Sequence, residues 1–348
     1  MEKIKAAIIG LGRIGSLLEE DSKREKPCTH TGAISSNADC VLIGGCDINE
    51  ERRKLFARCW GVPVYADAAE MLRSLKPQIL VVATHPDSHY AYCRLAADNG
   101  IPVVICEKPL ADTLGAARKI AALKGPAIIC NHERRYSADY LKAREILAGG
   151  TLGNLLAVKA VLYMGETRRL LDVLWHDGTH LADAVMFLSG LILKHKKHWG
   201  AKLIDTGGTA WLEGELLPTP HSPIPVVIEL GAGRDYCNPA PIPVVIEIGS
   251  GRDYLVFEIE FSCARGKLHI GNGVFEVWES DNCPYAEKFR SLKCTCSGFE
   301  GPTAYFSNMI ADAVSLVRKP EAKPISSAED GLSVIKYLNS VKKWKWRN

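Results

Sequence analysis

Residues 6–16 read AAIIGLGRIGS, an apolar run opening into Gly10-Leu11-Gly12-Arg13-Ile14-Gly15 almost at the start of the chain. A G-x-G-x-x-G pattern that follows a buried strand and opens a helix predicts the turn that receives a dinucleotide pyrophosphate. Gly10 permits the tight turn, Gly12 lets phosphate oxygens approach the backbone, and Gly15 lets helix and strand pack closely. The backbone at Arg13 and Ile14 then sits at a helix N-terminus, where free N–H groups and the positive dipole end favour anions.

The neighbouring sequence carries the same reading outward. Strands are predicted over Ile4–Ile9, Val41–Cys46, Val64–Tyr65, Ile79–Ala83, Val103–Cys106 and Ala127–Cys130. Helices are predicted between them over Ile14–Glu20, Glu50–Trp60, Ala68–Leu75, Ser88–Asn99 and Thr113–Leu123. Near-continuous Val/Ile runs are strands covered on both faces, and strand–helix alternation with short links gives right-handed crossovers. The fold class is an α/β Rossmann domain with a doubly wound parallel sheet. Its second strand should end in an acid that bonds the ribose hydroxyls, and Asp47, closing VLIGGCD, fits. The usual interval is about twenty residues. Here Gly15 to Asp47 spans 32, and the excess is placed in EEDSKREKPCTHTG, as a polar insertion after the first helix. No basic residue follows Asp47 at once, which favours NAD; Arg52 and Arg53 keep NADP possible.

The chain has 348 residues, 47% hydrophobic and 24% charged, enough for two domains. A net charge of +3 excludes a protein whose main task is neutralising nucleic-acid phosphates. Ile4–Ile9 is too short to span a membrane, and no signal peptide is read after the first methionine. Neither a nucleic-acid nor a membrane partner is expected. Cys46, Cys106 and Cys130 lie in apolar strand-like runs, where reduced thiols act as small hydrophobes, so a reducing, cytoplasmic setting is expected. The spacing of Cys283, Cys294 and Cys296 fits no zinc pattern.

After residue 130 the pattern changes. Helices are predicted from about Ser137 to Leu147, through Trp175–Leu188, over Thr303–Arg318 and over Ala328–Lys343, with a strand at Leu155–Met164. Phe257, Ile259 and Phe261 alternate with Glu258, Glu260 and Ser262, the mark of a sheet buried on one face. This predicts a first domain over 1–130 and a second, α+β domain over 131–348 with a large, mostly antiparallel open sheet. PIPVVIELGAGRDY at 223–236 recurs as PIPVVIEIGSGRDY at 241–254, read as a short duplication that adds one strand and turn. The basic and aromatic tail Lys342–Arg347 is expected to favour a helix C-terminus, with its aromatic faces packed on the domain.

Two stretches carry chemistry. Cys106-Glu107-Lys108-Pro109-Leu110 stands at the C-terminal end of the fifth strand, the edge where open α/β sheets bind ligands. A lysine there can donate to a substrate oxygen; it can also be a solvated turn residue. In His176-Asp177-Gly178-Thr179-His180-Leu181-Ala182-Asp183, a continuous helix would put His176, His180 and Asp183 on one face. Histidine titrates near neutrality and suits proton transfer. The same residues could be a polar stripe capped by Asp177. No metal is expected, because a third ligand is not evident.

AAIIGLGRIGS, the strand ending in Asp47, VVATHPDSHY with Thr84, His85 and His89, CEKPLADT and HDGTHLADAVMFL occur in an order that resembles the Gfo/Idh/MocA oxidoreductases over nearly the whole chain. The resemblance implies a nicotinamide cofactor, a sugar, cyclitol or related polyol substrate, and a homodimer or homotetramer built on the open sheet. It implies cofactor contacts from Thr84, His85, Glu107 and Lys108, Lys108 lying near the nicotinamide and the reacting oxygen. His180 matches the acid–base histidine and Asp183 the acid three places later. Many members carry an aspartate four residues before that histidine; here the position is His176, and either Asp177 or His176 takes its role. Asn131 and Arg135 in NHERRYS resemble the segment that opens the second domain and lines the substrate cleft; interdomain hydrogen bonding is their other role. The activity implied is hydride transfer at a CH–OH group. The alternatives are an NAD-cycling glycoside or nucleotide-sugar enzyme and a dinucleotide-binding regulator without turnover.

Overall fold

A computed structural model describes residues 2–218 and 241–343. Two compact units emerge: residues 1–138 with 302–335, and residues 139–301 with 336–348.

The first unit runs β1 (Ile4–Ile9), α1 (His30–Ser36), β2 (Cys40–Cys46), α2 (Glu50–Trp60), β3 (Val64–Tyr65), α3 (Ala68–Leu75), β4 (Ile79–Val82), α4 (His89–Asp98), β5 (Val103–Cys106), α5 (Leu114–Ala121) and β6 (Ala127–Cys130). Its six strands stand in the order 3-2-1-4-5-6, all parallel, which is the dinucleotide-binding arrangement. Every residue of β4 and β5 is buried, as the apolar runs require of strands covered on both faces.

The first helix departs from the sequence expectation. Ile14–Glu20 is not an α-helix. The chain turns from Gly12, makes a short 3-10 turn over Leu17–Glu20, loops out, and returns as α1. The amide of His30 bonds the Ile14 carbonyl (3.2 Å) and that of Thr31 bonds the Gly15 carbonyl (3.1 Å). In an unbroken helix those acceptors would serve residues 18 and 19. The insertion therefore lies inside the helix, not after it, and displaces the chain by twelve positions, from 18 to 30. Taking twelve from the 32-residue interval between Gly15 and Asp47 leaves the usual twenty. Thr29 caps the resumed helix by accepting from the Gly32 amide at 3.0 Å.

The second unit holds α6 (Ala138–Ala148), β7 (Leu155–Tyr163), α7 (Leu170–His176), α8 (Gly178–Ser189), β8 (Ile192–Gly200), β9 (Gly208–Leu217), β10 (Ile242–Ser250), β11 (Val256–Cys263), β12 (Gly266–Gly271), β13 (Val274–Asn282) and β14 (Arg290–Ser297). These strands form one sheet in the order 14-13-12-11-7-10-9-8, antiparallel except where β10 runs alongside β7. Phe257, Ile259 and Phe261 face the covered side, and α8 packs against β7, β8 and β11. The second copy of the duplicated segment forms β10, bonded to β7 and β9. The first copy, 223–236, lies outside the described residues.

The last helices are α9 (Tyr305–Arg318) and α10 (Ala328–Lys343). The expected single boundary after residue 130 needs correcting. The first unit continues to Ala138, and the chain rejoins it at Pro302–Ile335. Burial gives the reason: Phe306, Met309, Ile310, Ala313 and Val314 of α9 belong to the same apolar cluster as Ile8, Val81 and Ile105. Lys342 lies over the Trp175 ring (6.0 Å), Lys343 ends α10, and the tail from residue 344 onward lies outside the described residues.

Candidate active site

The cofactor-side residues gather on the C-terminal edge of the parallel sheet. Gly10 has φ +96°, and a side chain there would collide with the Ala83 carbonyl. A Cβ on Gly15 would strike the Gly10 carbonyl. Gly12 has room: a Cβ would meet only the Arg52 guanidinium, at 3.7 Å. Arg13 is exposed and Ile14 half-buried. The turn is thus shaped by two glycines that admit no side chain and one that leaves the backbone open to a ligand.

Asp47 follows β2 and is 6% exposed. Its Oδ2 accepts from the Leu11 amide (2.9 Å) and its Oδ1 from the Asn49 amide (2.8 Å), so the carboxylate braces the glycine turn. Arg52 stands 3.6 Å from Oδ2, while Arg53 donates to the carbonyls of Asp47 and Ile48.

Beyond β4, the Thr84 hydroxyl bonds that of Ser88 (2.7 Å), and the exposed His85 presents its carbonyl to the Ser88 amide. His89 is fully buried, its ring nitrogens at the carbonyls of Thr84 (3.1 Å) and Leu110 (3.3 Å). It ties the β4 and β5 loops together. Burial pulls its pKa down, against the opposing pull of those carbonyls.

Glu107 and Lys108 follow β5. The Glu107 side chain is buried, with Oε1 2.6 Å from His30 Nε2 and accepting from Asn131 Nδ2 at 2.6 Å, while Oε2 accepts from the Lys108 amide at 3.1 Å. Burial pushes the carboxyl up, but His30, Asn131 and the Lys108 charge outweigh it and hold the pKa below the usual range. Lys108 is half-buried and joined to Pro109 by a cis peptide bond.

His30 is the residue that sequence reasoning missed. Reading the insertion as twelve residues inside the helix would have put His30 three helical places after Gly15, facing the next strands. Asn131 meets Glu107 directly. Arg135 pairs with Asp330 (3.1 Å) and donates to the Ile325 carbonyl (3.3 Å), contacts within the first unit that fasten the returning segment.

In the second unit the continuous helix expected through residue 177 is broken there. His176 ends α7 and is exposed; α8 starts at Gly178. His176 therefore does not stand one turn below His180 on a shared helix face. Asp177 fills the junction, its carbonyl accepting from the His180 amide (3.1 Å) and its carboxylate 3.6 Å from Arg168. Arg168 is a second group that sequence reasoning missed. Its guanidinium also bonds Glu166 (2.7 Å), and its carbonyl accepts from Ser250 (2.7 Å). His180 is half-buried and Asp183 is 1% exposed, both on α8. Cys294 and Cys296 lie on β14, and among the described residues no group of three or more His, Cys, Asp or Glu side chains is placed to hold a metal.

Residues 4–125 match the model of an oxidoreductase family with an NAD-binding Rossmann fold, GFO_IDH_MocA. By that segment the chain is similar to the Gfo/Idh/MocA oxidoreductases. Over 156 residues it is 27% identical to an inositol 2-dehydrogenase of Rubrobacter xylanophilus, covering 44% of this chain and 42% of the relative. Over 157 residues it is 35% identical to a D-apiose dehydrogenase of Paraburkholderia graminis, covering 44% and 38%. The aligned regions span between 31% and 54% of the length of the first curated relatives. A dehydrogenase structure from Chromobacterium violaceum superposes with a TM-score of 0.74 at 14% identity, covering 98% of this chain and 95% of the other, so the likeness of fold takes in residues of both units.

Proposed function

We propose that this chain is an NAD(P)-dependent dehydrogenase or reductase acting on a secondary CH–OH group of a sugar, cyclitol or related polyol. The observation that carries the reading is Lys108, fixed through Glu107 at the C-terminal edge of the sheet whose first turn is the glycine cradle. The Gly10–Gly15 turn and Asp47 would hold the dinucleotide, and bound nicotinamide would supply or accept the hydride. Arg52 beside Asp47 keeps a 2′-phosphate acceptable.

In this reading Lys108 donates a hydrogen bond to the substrate oxygen and opposes the charge that develops there. His180 accepts the hydroxyl proton, or returns it in reduction. Asp177 orients the histidine or a substrate hydroxyl. Its position at the α7–α8 junction, beside Arg168, favours it over the exposed His176 for that role. Asn131 and Arg135 act beside Lys108, through Glu107 and through the returning segment. We further place the chain in a reducing compartment, and as a homodimer or homotetramer joined through the outer sheet face around Lys159, Val245 and Glu260. Among the described residues no helix is long and apolar enough to cross a membrane.

The test is a panel of inositols, aldoses, glycosides and nucleotide sugars with NAD+ and NADP+, followed by reduced-cofactor absorbance. His180→Ala should lower kcat by roughly 10²–10⁴-fold while cofactor affinity holds. A protein that binds NADH but turns over nothing in either direction across that panel is a regulator, and the enzyme reading fails.

A further inference from the structure

Behind Lys108 lies a buried junction that the reaction itself does not use. Three elements meet at one carboxylate: β5 ends just before Glu107, α1 begins with His30, and β6 ends just before Asn131. His30 and Asn131 are 0% and 1% exposed. Both reach Glu107 Oε1 at 2.6 Å, and the other oxygen holds the Lys108 amide. Because Glu107 is held ionised, the proton in the short contact to His30 sits on Nε2. His30 Nδ1 has no hydrogen-bond partner among the described residues, and the ring meets Phe306 edge-on with centroids 5.1 Å apart. The imidazole's short polar contact is to Glu107, and Asn131 Nδ2, which bonds the same carboxylate oxygen, lies 3.5 Å from its Nε2.

We infer that His30 and Asn131 are positioning residues that set the direction in which Lys108 leaves the sheet, by clamping the Glu107 carboxylate that holds the Lys108 backbone. The inference rests on the proposed role of Lys108 at the substrate oxygen. Its second consequence is a link to the cofactor cradle: His30 opens the helix that resumes the one begun at Gly12, and its own amide bonds the Ile14 carbonyl. Displacing α1 would therefore disturb both the glycine turn and Lys108. The charged and titratable groups around Glu107 are His30 from α1, Lys108 beside it, His89 from α4, Cys106 from β5, and Glu133 with Arg134 from the turn after β6.

The experiment uses the full chain with NADH bound and three variants: His30→Leu, His30→Gln and Asn131→Asp. Two readouts are taken: the rate of Lys108 acetylation by limiting acetic anhydride, read by mass spectrometry, and kcat and KM on the best substrate of the panel. His30→Leu removes the donor and keeps apolar bulk. It should change the Lys108 acetylation rate severalfold and lower kcat by about 10–100-fold, the scale of a small misplacement of a reacting group, with KM and NADH affinity within about twofold. His30→Gln returns an N–H donor and should recover most of both. Asn131→Asp puts a second carboxyl at hydrogen-bond distance from Glu107. Such a pair shares one proton and repels once it is lost, so kcat should gain a fall with rising pH that NADH affinity does not follow. A His30→Leu protein that binds NADH normally and keeps wild-type Lys108 acetylation overturns the inference. Should His30→Leu fail to fold, an Asn131→Asp protein with a wild-type kcat–pH profile and Lys108 acetylation does so. Lys108→Met separates the two levels: full turnover in that variant removes the proposed role of Lys108, whereas loss of turnover there with none in His30→Leu removes only the clamp.

Discussion

Deleting residues 18–29, so that Leu17 joins His30, should leave a folded protein that still binds dinucleotide. The hydrogen bonds dictate the junction. His30 and Thr31 already occupy the places of residues 18 and 19 against the Ile14 and Gly15 carbonyls. In the deletion the Leu17 amide, which now bonds the Gly12 carbonyl at 3.1 Å, can move to Arg13 and make the helix continuous. The opposing contributions are of similar size. Closing a loop of about twelve residues costs roughly 2 kcal/mol in its length-dependent part, which the deletion recovers. Lost in exchange are the contacts of Glu25, which accepts from the Thr303 amide (3.1 Å), the Thr303 hydroxyl (2.9 Å) and the Ala304 amide (2.9 Å) at the start of α9. A cap of this kind contributes about 0.5–2 kcal/mol, towards the low end for an exposed carboxylate. Burial of Cys28 and Thr29 goes as well, while the Thr29 cap becomes unnecessary once no helix starts there. The sum lies within about 2 kcal/mol of zero, or a melting shift of less than about 8 °C for a unit of this size. Circular dichroism melts and quenching of tryptophan fluorescence by NADH measure both quantities. A deletion variant that is unfolded, or that binds NADH more than tenfold more weakly, would show that the segment is part of the cradle rather than a loop inserted into its helix.

Three further outcomes follow from individual side chains. Asp47→Ala should weaken NAD by about 1–3 kcal/mol, the scale for removing a charged hydrogen-bond partner, and should also loosen the glycine turn it braces; unchanged calorimetric affinity refutes the ribose assignment. Glu25 sits below the ordinary glutamate pKa of 4.5, because the hydrogen bonds at Thr303 and Ala304 outweigh its burial. Its stabilisation is therefore complete above that value and is lost as pH falls through the lowered one, so melts should show Glu25→Gln losing less stability than wild type on acidification. His195 is pulled down to about 4 from 6.5, first by burial and then by the charge of His198. The unfolded chain takes the proton first, so stability should fall from pH 6.5 towards 4, and His195→Gln should flatten that slope; parallel melting curves for the two proteins would exclude it.

Where the sequence was legible, it was so because the signal is local. Apolar runs such as ILVV at 79–82 and VVIC at 103–106 are too continuous for a half-exposed strand, and the parallel sheet follows from their alternation with helices. Pairing of Phe257, Ile259 and Phe261 on one face is visible in a window of five residues. What sequence could not yield depends on contacts between distant residues. The inserted loop looks terminal to its helix because Leu17–Glu20 supplies apolar and acidic residues that would suit a helix, and only the bonds from residues 30 and 31 show that it resumes. The break at Asp177 has no proline to announce it. The return of 302–335 to the first unit is carried by α9, whose amphipathic pattern states that one face is buried but not against which sheet. Lys108 was visible as a motif, whereas His30 and Arg168 became apparent only through the groups they touch.

A parallel sheet explains why the candidate cofactor residues act on one another laterally. All six strands end at one edge, so each residue just past a strand end meets the backbone of its neighbour. The Gly10 amide bonds the Cys46 carbonyl, the Glu107 amide bonds that of Val82, and the Asn131 amide bonds that of Cys106. Side chains repeat the pattern one step further out, Asp47 to Leu11 and Asn131 to Glu107. Geometry at any one of these positions is therefore set by the strands beside it. That is why a carboxylate as costly to bury as Glu107 can be kept there: three donors from α1, β6 and its own loop offset the lost hydration. Removing one donor leaves the charge buried but incompletely paired, so the disturbance passes to the Lys108 backbone, the partner with the longest of the three bonds.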